Sequence, residues 1–199
     1  MKESQRQKQK IQTRKYLIEV ATNEFAKSGF SSTRTSDIAV AAKVSHGTIF
    51  VHFPTKENLL DEVIEEFGMN ITSRLHELIN ENCGLKEALK AHLKGIEEYE
   101  IFYKRLVTEA PMLQESARNT LIMIQSAISF HLKQAADREI AESKIINMPF
   151  NLMFNTWVGL IHYYLTNSDL FAPDESVISR YGQQLIEHFM ILISPKGGE

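Results

Sequence analysis

Apolar residues recur at intervals of three and four along nearly the whole chain, which is the spacing of amphipathic helices. The first such stripe, at the start of the chain, consists of Leu17, Ile18, Ala21 and Phe25. The pattern predicts helices at about 10–28, 35–42, 46–53, from 56 onward, 85–108, 114–136, 140–166 and 174–193. No segment alternates between apolar and polar side chains between hairpin turns, so the sequence predicts an all-α fold.

Composition favours a globular protein of the cytoplasm. Hydrophobic residues make up 43% of the 199 positions and charged residues 24%, and a chain of this length buries a core without cross-links. The single Cys83 cannot form an intrachain disulfide, and no apolar signal segment follows the polar start.

One stretch is long enough to span a membrane, because residues 145–168 contain no Asp, Glu, Lys or Arg. Its Asn and His side chains are costly in hydrocarbon. We therefore favour a buried helix of a soluble protein and expect no contact with a membrane.

Charge is divided unevenly along the chain. Residues 1–56 contain ten Lys and Arg against four Asp and Glu, a net charge of +6, whereas residues 57–199 contain twelve against twenty-one, a net charge of −9. A basic first quarter joined to an acidic remainder suggests a polyanionic partner. A short solubilising arm would give a similar run of charge.

Sequence patterns of catalysis are missing. There is no glycine-rich phosphate loop, no G-x-S-x-G, and no H-E-x-x-H or E-x-x-H pattern. The seven histidines are scattered. We therefore predict a protein that is not an enzyme, with no catalytic residues, no metal site and no cofactor.

The most informative region is 14–60, within which two short helices joined by a tight turn form a helix–turn–helix pattern. In such a unit the second helix enters the major groove, about 12 Å wide, and its first residues reach the base edges. Those residues are His46, Gly47 and Thr48. His46 offers a hydrogen bond to a purine, Gly47 allows close approach, and Thr48 offers a hydroxyl and a methyl group. Ile49 and Phe53 are predicted to face the core.

Three small polar residues stand at predicted helix N-termini: Thr35, Ser36 and Ser45. Backbone N–H groups and the helix dipole favour phosphate there. Helix capping explains Thr35 and Ser45 equally well, and Ser45 is the predicted N-cap of the second short helix.

The segment resembles the TetR family of bacterial transcriptional regulators. The resemblance lies in two spaced runs, R-x-x-L-I-x-x-A-x-x-x-F-x-x-x-G-F from Arg14 and T-x-T-x-x-I-A-x-x-A-x-V-S-x-G-T-I-F-x-H-F-P-x-K-E-x-L-L from Thr33. It implies an all-helical homodimer of about nine helices per chain, with a DNA-binding domain at 1–55 and a ligand-binding and dimerisation domain at 56–199. The dimer would form through the last two helices and bind a palindromic operator in double-stranded DNA.

By family position the resemblance also implies roles for single residues. The DNA backbone would be contacted by Thr35, Ser36, Phe50, His52 and Lys56. Bases would be read by His46, Gly47, Thr48 and Val51.

The chain departs from the family pattern at two positions. Lys43 stands where the turn usually has Gly, so it must adopt positive φ at a cost of about 1 kcal/mol if the geometry is kept. Either a phosphate contact compensates this cost or the turn is strained and inert. Phe50 replaces the usual Tyr and lacks one hydroxyl for phosphate, which leaves it a role in packing or in contact with a thymine methyl group.

The resemblance implies a ligand pocket among the middle helices. Candidate lining residues are Phe102, Tyr103, Met112, Met123, Phe154, Asn155, Trp157, His162 and Tyr163. Aromatic and Met residues at helical spacing are more often plain core, so both roles stay open. Low charge in 119–132 and 145–168 predicts a largely apolar small ligand, hydrogen-bonded by Asn151, Asn155 or His162.

These inferences lead to one functional hypothesis with two alternatives. The chain would be a repressor whose two recognition helices lie about 34 Å apart in the dimer, and which a ligand releases from DNA. One alternative is an activator, or a regulator that responds to a protein. The other is a helical enzyme or binding module with a vestigial helix–turn–helix.

Overall fold

A computed structural model describes residues 2–78 and 83–195. These residues form ten α-helices and one 3-10 turn, and no strand occurs among them, so the all-α prediction is confirmed. The helices are α1 Lys2–Ser28, α2 Thr35–Ala41, α3 His46–His52, α4 Lys56–Leu78, α5 Leu85–Glu97, α6 Glu100–Glu109, α7 Glu115–Ala141, α8 Phe150–Thr166, α9 Ser168–Phe171 and α10 Val177–Ile193. The 3-10 turn, Ala110–Met112, follows α6.

Several predicted boundaries were wrong. The first helix begins at Lys2 rather than near residue 10. The predicted helix 85–108 is two helices, α5 and α6, although apolar spacing continues across the break. The predicted helix at 140–166 begins only at Phe150, because Ser143 adopts a positive φ of 57° that ends the preceding helix and Pro149 precedes α8.

The chain forms two compact units, each built from two segments. The first unit contains residues 1–68 and 101–121, and the second contains residues 69–100 and 122–199. This division rests on compactness alone, and the functional boundary between residues 55 and 56 stays a prediction.

Aromatic rings fill the core of the first unit. Phe30 meets Phe25 and Phe102 edge-on, with ring centroids 5.7 and 5.6 Å apart, and Phe67 lies 5.2 Å from Phe102. Such arrangements add about 0.5–1.5 kcal/mol per pair beyond the burial of area. The predicted α1 stripe is buried in this core as expected: Leu17, Ile18, Ala21 and Phe25.

The second unit is built around α10, which packs against α5 and α8. A Cβ at Gly182 on α10 would lie 3.2 Å from Cδ1 of Leu93 on α5, so the absence of a side chain allows this close packing. At its centre the buried Trp157 donates from Nε1 to Nδ1 of His92 over 3.1 Å. Complete burial lowers the pKa of His92 to about 3, so the ring is neutral.

Helix α8 lies within the uncharged stretch 145–168, and only one face of this helix is buried. That face consists of Met153, Trp157, Ile161 and Leu165, whereas Leu152 and Tyr163 on the other side are exposed. The predicted buried helix is therefore buried along one face within the single chain. None of the helices described is both long enough and apolar enough to cross a membrane.

Candidate nucleic-acid interface

The turn between α2 and α3 has the geometry that the family pattern requires. Lys43 adopts φ 54°, as predicted from its position in place of Gly. The turn is closed by backbone hydrogen bonds from Lys43 N to Val40 O (3.1 Å) and from Val44 N to Ala39 O (3.0 Å). The Lys43 side chain is exposed.

The two short helices α2 and α3 begin with different capping contacts. Ser45 is the N-cap of α3, because its Oγ accepts from the backbone N–H of Thr48 over 3.2 Å. This confirms the prediction for Ser45. Thr35 is not a cap: Arg34 occupies that position before α2, and its N–H donates to the Asp37 carboxylate over 3.0 Å. The capping interpretation of Thr35 is therefore wrong.

Helix α3 separates its residues into an inner and an outer side. Ile49 is fully buried, and Phe53 after the helix is nearly so, as predicted. The first two residues, His46 and Gly47, are exposed, and Thr48 is half-buried. On the next turn, Phe50 is 46% and Val51 70% exposed. The four candidate base readers thus lie on one short helix whose N-terminal turn is open to solvent.

Thr35 and His46 are held together across the two helices. The Thr35 hydroxyl lies 2.9 Å from Nε2 of His46, and the His46 ring meets the Phe50 ring edge-on at 5.0 Å. Two residues predicted to contact the backbone, Thr35 and Phe50, therefore orient a residue predicted to read a base.

The remaining backbone candidates differ in what they offer a phosphate. Ser36 is exposed and donates to its neighbour Asp37 over 3.3 Å, and Lys56 Nζ donates to the carbonyl of Ser31 over 3.3 Å. Burial, followed by the positive charges of Lys10 and Arg14, lowers the pKa of His52. A neutral His52 offers a hydrogen bond rather than a full positive charge.

Arg14, the first residue of the family pattern, has a structural contact that sequence reasoning did not assign. Its guanidinium donates two hydrogen bonds to the Glu62 carboxylate, 2.7 and 2.6 Å long, and lies 4.7 Å from the centre of the Phe53 ring. The pair raises the pKa of Arg14 and lowers that of Glu62. Arg14 therefore joins α1 to α4 and to Phe53, the residue that follows α3.

Arg105 and Glu109, which the sequence did not identify as functional residues, hold the loop that leads into α2. Arg105 donates to the carbonyl oxygens of Ala26 and Lys27, each over 3.2 Å. Glu109, one turn later on α6, accepts from the N–H groups of Phe30 (2.9 Å) and Ser31 (3.2 Å). No sequence signal could identify contacts that span nearly 80 positions.

Gly29 is required where this loop begins. Its φ is +84°, and a Cβ would lie 2.6 Å from Oε1 of Glu109. The glycine therefore provides both a left-handed backbone and space for a carboxylate.

The candidate pocket residues are divided between the two units. Phe102 and Tyr103 are buried in the first unit against Phe67, and Met112 is exposed there. Burial raises the pKa of Tyr103.

In the second unit, Phe154 and Trp157 line a cavity of only about 10 Å³, which is about the volume that one water-sized probe needs. Burial lowers the pKa of the nearby candidate His162 to about 4. The other three candidates are exposed: Met123, Asn155 and Tyr163. The nine candidates thus form no single cavity within either described unit.

Comparison with known proteins places this geometry in context. Residues 17–63 match the model of the bacterial regulatory proteins of the tetR family. Over 60 residues the chain is 40% identical to the HTH-type transcriptional repressor Rv3405c of Mycobacterium tuberculosis. This aligned stretch covers 30% of this chain and only 32% of that relative. Over 177 residues it is 27% identical to the regulator AcrR of Shigella flexneri, with 81% of this chain and 80% of AcrR covered.

Solved structures share the fold over nearly the whole chain. A TetR-family regulator from Agrobacterium tumefaciens superposes with a TM-score of 0.77 at 15% identity, covering 94% of this chain and all of that one. PfmR from Thermus thermophilus superposes with a TM-score of 0.71 at 17% identity, covering 92% and 99%. At these identities the likeness concerns the fold alone.

Proposed function

We propose that the chain, whose residues 17–63 match the model of the bacterial regulatory proteins of the tetR family, is a DNA-binding transcriptional regulator, namely a repressor released from a palindromic operator by a small, largely apolar ligand. The observation that carries this proposal is the exposed first turn of α3. Its opposite side is anchored by the buried Ile49, and Ser45 caps its start.

In this proposal α3 lies in the major groove. His46, Gly47, Thr48 and Val51 face base edges, while Thr35, Ser36, Ser45, Phe50, His52 and Lys56 lie toward the phosphates. The excess of positive charge in residues 1–56 attracts the DNA backbone. Six to ten phosphate contacts would cost roughly 10³–10⁵ in affinity between 50 and 200 mM salt.

A palindromic operator requires two copies of the chain. We propose that they associate through α8 and α10, whose outer surfaces carry apolar side chains that no described residue covers. Leu152 and Tyr163 on α8 are more than half exposed, and Ile191 on α10 is 71% exposed. Gly159 lies on the same face of α8, with open space around the position of an added Cβ. Burial of such a stripe against its symmetry mate would stabilise the dimer.

The ligand is proposed to enter the second unit. The small cavity there is bounded by apolar side chains such as Leu89, Phe154 and Phe189, which suits an apolar molecule. At about 10 Å³ the cavity must expand to accept one. A ligand would therefore select a more open conformer, and its effect on DNA affinity is limited to the difference in its affinity for the two conformers, typically about 1–3 kcal/mol.

The experiment starts with selection of bound sequences from a random DNA pool, followed by affinity measurements on variants. Lys56→Ala is expected to weaken binding to every sequence, whereas Thr48→Ala is expected to change the preferred base at one position in each half-site. Lys133→Ala removes the same charge from an exposed site on α7 and should leave the affinity unchanged. If neither Thr48→Ala nor Lys56→Ala affects binding, the proposed interface is wrong.

A further inference from the structure

The first unit contains a cleft of about 180 Å³ that is separate from the exposed surface of α3. Three segments line it: the loop after α1, the first turns of α4, and the corner where α6 leads through the 3-10 turn into α7. A cavity of about 150 Å³ is enough to hold a benzene ring. The cleft is therefore large enough for one small organic molecule.

The polar part of the lining is predominantly acidic. Glu57, Asp61 and Glu109 provide three carboxylates, against a single ammonium group on Lys56. That ammonium group already donates to the carbonyl of Ser31. In the part of the chain that the structure describes, none of the three carboxylates forms an ion pair with Lys, Arg or His.

Glu109 is the most deeply placed of these carboxylates, with only 9% of the residue exposed. Its Oε2 accepts from two backbone N–H groups, whereas its Oε1 makes no hydrogen bond among the described residues. Half-buried Asp61 also has one oxygen engaged, because Oδ1 accepts from the hydroxyl of Ser116 over 3.1 Å. A buried carboxylate attracts a cation more strongly than an exposed one does, because less water screens it.

The rest of the lining is apolar. Leu60 and Leu113 are each 9% exposed, Ala117 is buried, and the flexible side chain of Met112 is largely exposed at the edge. These side chains would cover an apolar group, and Met adapts readily to different shapes. The cleft thus combines a deep carboxylate with an apolar wall in one volume of about 180 Å³.

We propose that this cleft binds a small organic cation, consisting of an ammonium group attached to one apolar ring or short chain. The ammonium group lies beside the carboxylates of Glu109 and Asp61, and the apolar group packs on Leu60, Leu113 and Met112. This site differs in position and in ligand charge from the apolar core cavity of the second unit. The proposal concerns binding to the free protein and does not depend on DNA binding.

The test is calorimetric titration of the full chain with phenethylamine, together with two probes of similar shape. 2-Phenylethanol replaces the ammonium group with a hydroxyl, and 3-phenylpropionate replaces it with a carboxylate. We expect saturable binding of one amine per chain, at least tenfold weaker binding of the alcohol, and no binding of the acid. No amine binding at millimolar concentration, or equal affinity for amine and alcohol, would overturn the proposal.

Variants locate the binding. Glu109→Gln keeps an oxygen that accepts from the loop N–H groups but removes the charge, and should weaken amine binding about ten- to a hundredfold. Asp61→Asn should also weaken amine binding, whereas Asp174→Asn, at an exposed position of the second unit, should not. Gln114→Trp, at an exposed lining position, should block the cleft without disturbing the fold. Amine binding that survives both Gln114→Trp and Asp61→Asn unchanged would contradict the site, even if Glu109→Gln fails to fold.

Discussion

The hydroxyl of Thr35 lies 2.9 Å from Nε2 of His46, so the first residue of α2 supports the first residue of α3. The sequence predicts different targets for these residues, phosphate for Thr35 and a base for His46. Their contact means that the His46 ring is already oriented before DNA is bound. Such preorganisation lowers the entropy cost of binding.

A double-mutant cycle with Thr35→Val and His46→Ala tests this coupling. We expect the losses in operator affinity to be non-additive, with a coupling energy of about 0.5–1.5 kcal/mol, because each single change already removes the shared hydrogen bond. Fluorescence anisotropy with a selected operator measures all four affinities. Additive losses would mean that the two side chains act independently on DNA.

Replacement of Lys43 measures the strain in the turn. Lys43→Gly should be more stable than Lys43→Ala by about 1 kcal/mol, because Ala retains the penalty of a φ near 54° and Gly does not. Urea denaturation measures the free energy of unfolding of each variant. The two variants lose the same charge, so a difference in their stability isolates the backbone term. Equal stabilities would show that this turn relaxes at no cost.

Histidine burial should make stability depend on pH. The pKa values of His92 and His162 lie at about 3 and 4, below the ordinary 6.5. At a pH between the folded-state pKa values and 6.5, these two histidines are protonated in the unfolded chain but stay neutral in the folded chain. The free energy of unfolding should therefore fall as the pH drops below 6.5, by up to about 1.4 kcal/mol per pH unit for each residue.

Denaturation at pH 7, 6 and 5 checks this expectation against a variant. His92→Gln keeps an acceptor for the Trp157 indole but does not titrate, so its stability should fall less steeply with decreasing pH. The exposed His188→Gln variant is the matched control and should retain the wild-type slope. Equal slopes for the wild type and His92→Gln would exclude the proposed role of His92.

The outer face of α8 should determine the oligomeric state. Gly159→Arg places a bulky charge where a single chain has open space, so we expect a folded monomer in place of a dimer. Leu170→Arg introduces the same charge at an exposed apolar site on α9 and should leave the dimer intact. Sedimentation velocity separates these outcomes. A monomeric wild type, or a dimeric Gly159→Arg variant, would refute the proposed interface.

The recognition segment could be predicted because its information is local. The N-cap at Ser45 and the buried position of Ile49 follow from neighbours within a few residues. The fold class followed from helical periodicity for the same reason. The positive φ of Lys43 followed from the family pattern, which usually has Gly at that position. Helix boundaries were less predictable, since the break between α5 and α6 interrupts no apolar spacing.

Long-range polar contacts could not be predicted in the same way. Arg14 reads as one more basic side chain in a basic segment, and only the fold brings it to Glu62. Glu109 reads as an ordinary polar residue near the end of a helix, yet it is buried against a loop nearly 80 positions away. Single-sequence periodicity carries no information on such pairs.

The ring cluster around Phe30 limits how this protein can be dissected. Its neighbours Phe25 and Phe67 come from the first 68 residues, but Phe102 comes from α6. A fragment that ends after Phe53 would lose that ring and the hydrogen bonds that Arg105 and Glu109 make to residues 26–31. It would also expose an apolar surface that favours aggregation. Residues 1–68 are therefore not expected to fold by themselves. A chimeric protein that carries α3 with its native support also needs residues 101–121.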